Sequence, residues 1–223
     1  EINRLITDQI ADLLLTPSVD GDENLLREGI ASAKIHLVGN VMIDTLVRLR
    51  PQAEALWSSL QKTYSLDRYA LVTLHRPSNV DDPQILAEIM AALIDISKGL
   101  PIIFPIHPRT RQRLQAFNLQ PATCNLQLID PLGYLEFLAL QAHATFVLTD
   151  SGGVQEETTY LRIPCLTMRE NTERPVTVTV GSNILVGQNM ERVREETQRI
   201  LQGQAKLGGI PPLWDGQAGV RIA

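Results

Sequence analysis

A doubly wound α/β fold around a parallel sheet is what this sequence predicts, on three observations. Short apolar runs recur along the chain without the in–out alternation of a half-solvated sheet, as in strands covered on both faces. Segments of helical periodicity separate these runs, and strand–helix alternation folds as right-handed βαβ units. The 223 residues, 44% hydrophobic, 20% charged and 4% aromatic, have an ordinary globular composition and enough length to bury a core.

In chain order, residues 1–10 read as a helix, 12–16 as a strand and 23–28 as a helix closed by Gly29. Nothing precedes 12–16 to make a sheet with it. Residues 1–33 are therefore expected to be the tail of an upstream domain, and 34–223 a complete α/β unit. The alternative is that 12–16 adds an edge strand to the main sheet. Strands are then expected at 34–38, 69–74, 101–106, 126–129, 144–149, 164–168 and 183–186, with helices at 40–49, 52–64, 83–97, 133–142, 154–161 and 190–202. The helix at 83–97 is the plainest. Ile85, Leu86, Ile89, Met90, Leu93 and Ile94 repeat at helical spacing behind Asp81, Asp82 and Pro83.

Lys and Arg number 20 against 25 Asp and Glu, a net charge of -5. An acidic chain without a basic block argues against nucleic acid or an anionic membrane surface as the main partner. The two cysteines, Cys124 and Cys165, form no C-x-x-C or Cys/His zinc spacing, which argues against a disulfide scaffold and a structural zinc and favours a reducing cytoplasm. No metal and no cofactor is expected. The longest apolar stretch, residues 86–96, is broken by Glu88 and Asp95 and is too short to span a membrane. The opening Glu1-Ile2-Asn3-Arg4 carries neither a starting Met nor a signal-peptide pattern, so the chain is expected to come from something longer.

Ligands of open parallel sheets sit at the carboxyl ends of the strands, so the loops there are the candidates for a site. Thr149-Asp150-Ser151-Gly152-Gly153 runs from a strand directly into a helix. Small residues at such a turn admit an anion to backbone N–H groups and the positive end of the helix dipole. Equally, Ser151 can be a plain N-cap and the glycines can serve only the turn. Gln155, Glu156 and Glu157 follow in the first turn, where acids suit the dipole and where one carboxylate can accept both hydroxyls of a ribose. Periodicity does not say which glutamate points inward. Arg174, in Arg169-Glu170-Asn171-Thr172-Glu173-Arg174-Pro175, is a bidentate phosphate clamp or a member of a surface ion-pair loop. His75-Arg76-Pro77 and His107-Pro108-Arg109 each follow a strand, where the His can neutralise phosphate, move a proton or be structural. His36 and His143 lie in apolar segments and suggest no metal site. Phe137 has core spacing in its helix and stacks on a base only if that helix start borders the cleft. A Ser nucleophile is excluded because Ser151 is not in a G-x-S-x-G elbow, and neither a dinucleotide fingerprint nor a Walker loop is present. The residues describe a site for a phosphate-bearing nucleotide ligand and name no reaction.

Four strings occur in order: Thr73-Leu74-His75-Arg76, Asp130-Pro131-Leu132-Gly133-Tyr134-Leu135, Thr149-Asp150-Ser151-Gly152-Gly153-Val154-Gln155-Glu156-Glu157, and Glu173-Arg174-Pro175. With them, and with its opening Glu1-Ile2-Asn3-Arg4 and closing Asp215-Gly216-Gln217-Ala218, the chain resembles the non-hydrolysing UDP-N-acetylglucosamine 2-epimerases over essentially its whole length. The resemblance implies two Rossmann-like domains in a glycosyltransferase-B arrangement, this chain being the UDP-binding C-terminal half. It also implies a cytoplasmic homodimeric isomerase of cell-surface polysaccharide biosynthesis, which interconverts UDP-N-acetylglucosamine and UDP-N-acetylmannosamine by UDP elimination to a glycal and re-addition. It places uracil against the Leu132 main chain and Phe137, the diphosphate on Ser151, Gly152 and Gly153, and the ribose on Glu157. Arg174 and His75 would neutralise the phosphates, with His75 near the leaving oxygen as the catalytic group of this half. Glu1 aligns with the second glutamate of the family's Pro-Glu-Glu motif. The carboxylates that handle the C2 proton would lie upstream, so these residues alone are expected to be inactive. Pro77-Ser78-Asn79 replaces the Arg-Glu-Asn of many bacterial members, so allosteric activation by substrate is not expected. A 2-epimerase of a UDP-diacetamido-uronic acid and a glycosyltransferase of the same fold are the competing functions.

Overall fold

The computed structural model describes residues 2–119 and 125–223; Glu1 and Cys124 lie outside the described residues. The first segment contains α1 (Ile2–Ile10), β1 (Leu14–Thr16), α2 (Val19–Arg27) and β2 (Ile35–Leu37). A long helix, α3 (Val41–Tyr64), leads to β3 (Ala70–Thr73), α4 (Pro77–Val80), α5 (Pro83–Ser97), β4 (Ile102–Pro105), α6 (Pro108–Ala116) and β5 (Leu126–Ile129). Then come α7 (Tyr134–His143), β6 (Phe146–Thr149), α8 (Gly152–Leu161), β7 (Cys165–Thr167), α9 (Pro175–Thr179), β8 (Asn183–Leu185), α10 (Met190–Leu201) and α11 (Ala218–Ile222).

Six of these strands form one parallel sheet in the order β5-β4-β3-β6-β7-β8. Counted within the sheet, that order is 3-2-1-4-5-6, the doubly wound arrangement whose direction reverses between its first and fourth strands. Here the reversal lies between β3 and β6. Alternate residues feed opposite cores: Ala70, Val72, Ile102, Phe104, Phe146 and Leu148 pack with α5 and α10, while Leu71, Ile103 and Val147 pack beneath α3 and α7. Burial on both faces is why these strands read as unbroken apolar runs.

β1 and β2 pair in parallel, Leu14 opposite Ile35 and Thr16 opposite Leu37, in a separate two-stranded sheet. Residues 12–16 therefore do not edge onto the main sheet, and the strand expected at 34–38 pairs back to the first segment.

The helices expected at 40–49 and 52–64 are one continuous helix, with Pro51 inside it. Proline costs an interior helix about 3 kcal/mol, but Leu46 before it and Ala53 after it bury together against Leu138 and Ala139 of α7 and hold the two halves in line. The helix expected at 23–28 starts earlier, at Val19. Short helices α4, α6, α9 and α11 were not legible as apolar periodicity. Three of them open on a proline, Pro77, Pro108 and Pro175, the residue favoured in a first turn.

Candidate nucleotide site at the strand-order reversal

The reversal between β3 and β6 opens a crevice at their carboxyl ends, and the chain leaves both strands with polar residues. Asp150, directly after β6, is completely buried. Such a carboxylate is costly unless it is surrounded by donors, and four reach it. They are the His75 main-chain N–H at 3.0 Å, the Arg76 N–H at 2.9 Å, the Asn79 amide at 3.1 Å and His75 Nδ1 at 3.0 Å. Burial raises the Asp150 pKa, but the bonds from His75, Arg76 and Asn79 outweigh it and hold the carboxyl below its ordinary value. The bond from Asp150 in turn raises the His75 pKa above its ordinary 6.5, against partial burial and the neighbouring Arg76. With Nδ1 on Asp150, Nε2 is the ring nitrogen left to meet a ligand.

Ser151 caps α8 without a side-chain capping bond, and its own N–H donates to Thr149 Oγ1 at 3.0 Å. The N–H groups of the first turn of α8 have no carbonyl within the helix to bond, and the turn is open to an anion. A Cβ on Gly152 would stand 2.9 Å from Arg174 Nη1 and 3.0 Å from Cζ, so a side chain there would push the guanidinium from its place over this turn. A Cβ on Gly153 would meet nothing within 4 Å.

Arg174 is carried by the loop after β7. Thr172 Oγ1 donates to Gln155 Oε1 at 2.7 Å and accepts the Arg174 N–H at 3.1 Å, while the Asn183 amide donates to the same Gln155 oxygen at 3.2 Å. Arg174 Nε stands 3.1 Å from Glu156 Oε2, and its Nη1 3.3 Å from Glu173 Oε2. Burial pushes the Glu156 pKa up against the opposing pull of Arg174 and of Asn40, whose Nδ2 donates to Glu156 Oε1 at 3.0 Å.

The other inward glutamate, Glu157, accepts from Tyr134 Oη at 3.0 Å and faces the Gln141 amide nitrogen at 2.9 Å. Burial raises its pKa as well. Leu132 and Phe137 pack in one apolar cluster with Val154 of α8.

The expected site residues thus fall around one helix start. Ser151, Gly152 and Gly153 form it, Arg174 lies across it, and His75 is tied to the aspartate before it. Glu157, Leu132 and Phe137 line the side toward α7. The His107 ring lies 5.4 Å from that of His75, whereas Arg109 turns away to Asp81 at 3.1 Å. His143 stacks on Trp57 at 4.1 Å and pairs with Glu54. Asp150, Asn79 and Asn40 were missed as members of the site, and Glu156 was weighed only as a ribose acceptor, not as the partner of Arg174 and Asn40. The one signal for Asp150 was a charge placed directly after a wholly apolar strand. Among the described residues no cluster of His, Cys, Asp and Glu suits a metal ion, and no helix is long and apolar enough to cross a membrane.

The family model described as UDP-N-acetylglucosamine 2-epimerase matches residues 1–223. The UDP-N-acetylglucosamine 2-epimerase of Methanocaldococcus jannaschii is 42% identical over 230 residues, which cover 100% of this chain and 62% of the relative. The UDP-2,3-diacetamido-2,3-dideoxy-D-glucuronate 2-epimerase of Pseudomonas aeruginosa is 40% identical, with the same coverage of 100% and 62%. The crystal structure of the M. jannaschii enzyme in complex with UDP-GlcNAc and UDP superposes with a TM-score of 0.86 at 42% identity, over 100% of this chain and 63% of that one. The chain thus spans 62% of the length of these curated relatives. Matched along its whole length, it belongs to the UDP-N-acetylglucosamine 2-epimerase family.

Proposed function

We propose that these residues are the UDP-holding part of an isomerase that interconverts UDP-N-acetylglucosamine and UDP-N-acetylmannosamine by eliminating UDP and adding it back to a glycal. The observation that carries the reading is the helix start of α8 with Arg174 across it and His75 anchored beside it. Ser151, Gly152 and Gly153 offer donors to the diphosphate, and Arg174 and His75 supply the neutralising charge. A protonated His75 Nε2 next to the departing oxygen stabilises the leaving UDP. Glu157 is pinned by Tyr134 and Gln141 yet keeps lone pairs for the ribose hydroxyls. The Leu132 main chain and Phe137 bound the uracil end. Removal of the C2 proton falls to carboxylates of an upstream domain, whose tail is residues 1–33, extended through β2 by its pairing with β1. The gene product is read as a cytoplasmic homodimer.

The test is hydrogen exchange at C2 of UDP-N-acetylglucosamine in heavy water. The expressed gene product should introduce deuterium and yield both epimers, whereas the isolated 223 residues should do neither. Exchange at an enzymatic rate by the isolated residues would contradict the division of labour between domains. Turnover only of UDP-2,3-diacetamido-2,3-dideoxy-D-glucuronate, or acceptor-dependent loss of the sugar, would replace the substrate or the reaction class.

A further inference from the structure

The phosphate clamp is joined to a distant part of the fold by side chains that the nucleotide reading does not use. Asn40 sits where the β1–β2 segment passes into α3 and is only 4% exposed. Its amide does two things at once: Oδ1 accepts the Met42 N–H at 2.9 Å and caps α3, while Nδ2 donates to Glu156 Oε1 at 3.0 Å. The other oxygen of Glu156 meets Arg174 Nε at 3.1 Å. Glu156 is itself 7% exposed, so its orientation is set by these two neighbours and not by water.

Position 40 is in turn fixed by the C-terminal segment. Gly39 has φ +91, and a Cβ there would collide with the Leu213 carbonyl. Arg221 Nη1 donates to the Val38 carbonyl at 3.1 Å, and the buried Trp214 donates from Nε1 to the Pro17 carbonyl at 2.8 Å. Asp44, in the first turn of α3, accepts the Ala218 N–H at 3.0 Å and the Gly219 N–H at 2.6 Å. The junction therefore cannot shift without carrying Asn40, and Asn40 cannot leave without removing one of the two groups that orient Glu156.

We propose that Asn40 is a positioning residue for the phosphate clamp: acting through Glu156, it holds the Arg174 guanidinium over the first turn of α8 and makes UDP affinity depend on the junction at residues 38–40. The inference rests on the UDP-site reading above. It explains why an amide stands at this cap. Ser or Asp would cap α3 as well, but neither reaches Glu156 with a donor. Burial favours the neutral form of Glu156, so a carboxylate that loses Asn40 grips Arg174 less firmly.

Calorimetric titration of UDP into the chain and its N40S, E156Q and N40S/E156Q variants, with a melting curve for each, tests it. Ser keeps the cap acceptor, so N40S should melt within a few degrees of the parent and bind UDP about three- to tenfold more weakly. E156Q should lose at least as much. The double variant should bind as E156Q does, because Asn40 acts only through that carboxylate. N40D also keeps the cap but sets a charge against Glu156, and its loss should exceed that of N40S; it serves if N40S does not fold. Unchanged UDP affinity in either folded Asn40 variant, or losses that multiply in the double variant, would overturn the relay. Failure of the unmutated chain to bind UDP would overturn the nucleotide site and the relay together.

Discussion

Two cationic arms reach the start of α8 from opposite strands, and they are built differently. His75, after β3, hangs on a buried aspartate with four donors, and the pKa of that aspartate is held down. Arg174, after β7, lies within ion-pair distance of a buried glutamate that has one hydrogen-bond donor, Asn40, and there burial wins and the pKa rises. The number of donors around a desolvated carboxylate decides which direction prevails. One arm therefore carries a fixed positive charge beside an acid that resists ionisation. The other carries a charge that pH can remove, beside an acid that stays ionised.

Loss of the fixed arm should weaken UDP binding most. Arg174→Ala should cost UDP affinity about 2–3 kcal/mol, the range for a charge-assisted bond in a partly desolvated site. It also strips Glu156 of its ion pair. The raised pKa of Glu156 rises further, so the stability deficit of the variant should grow as pH climbs above the ordinary carboxylate range. Melting curves at two pH values check this. A large melting loss with unchanged UDP affinity would make Arg174 a structural ion-pair residue.

The adjustable arm predicts a pH dependence. The folded-state pKa of His75 is raised, so its contribution to folding is complete below about pH 6.5, the ordinary histidine value, and is lost as pH rises through the higher folded value. Its contribution to UDP binding should fade over the same interval. UDP titrates nearby, so the informative quantity is the affinity ratio of the parent to His75→Gln, which cancels that ionisation. A ratio flat with pH would mean that His75 is not the titrating cation.

The smallest effects separate adjacent glycines. Gly152→Ala pushes a methyl group against the Arg174 guanidinium and should cost UDP binding roughly 1 kcal/mol. Gly153→Ala meets open space and should leave the fold unharmed or stabilise it by about 0.5 kcal/mol, through better helix propensity. Equal effects of the two would remove Arg174 from its place over the turn.

The parallel sheet was legible because its strands are buried on both faces, and Leu71 between Ala70 and Val72 shows how one run serves two cores. Pro51 misled, since tertiary packing along α7 overrode a local helix breaker. The turn Ser151-Gly152-Gly153 was legible as the link between a strand and a helix. Its supports were not: Asp150 meets His75 across 75 residues, and Glu156 meets Asn40 across 116. Pairings so remote leave no mark in periodicity or in any short motif. The polar helix α6, bearing Arg109, Arg111 and Arg113, had no apolar stripe to reveal it.

On the proposed reading, the turn at Ser151–Gly153, Arg174 and His75 together supply enough charge to hold a nucleoside diphosphate without a metal ion. Calorimetric titration of UDP into the chain, in EDTA and again in magnesium, tests this. Weak, saturable binding of one UDP per chain, equal in both buffers, is the predicted result. No binding, or binding only when magnesium is present, would contradict it.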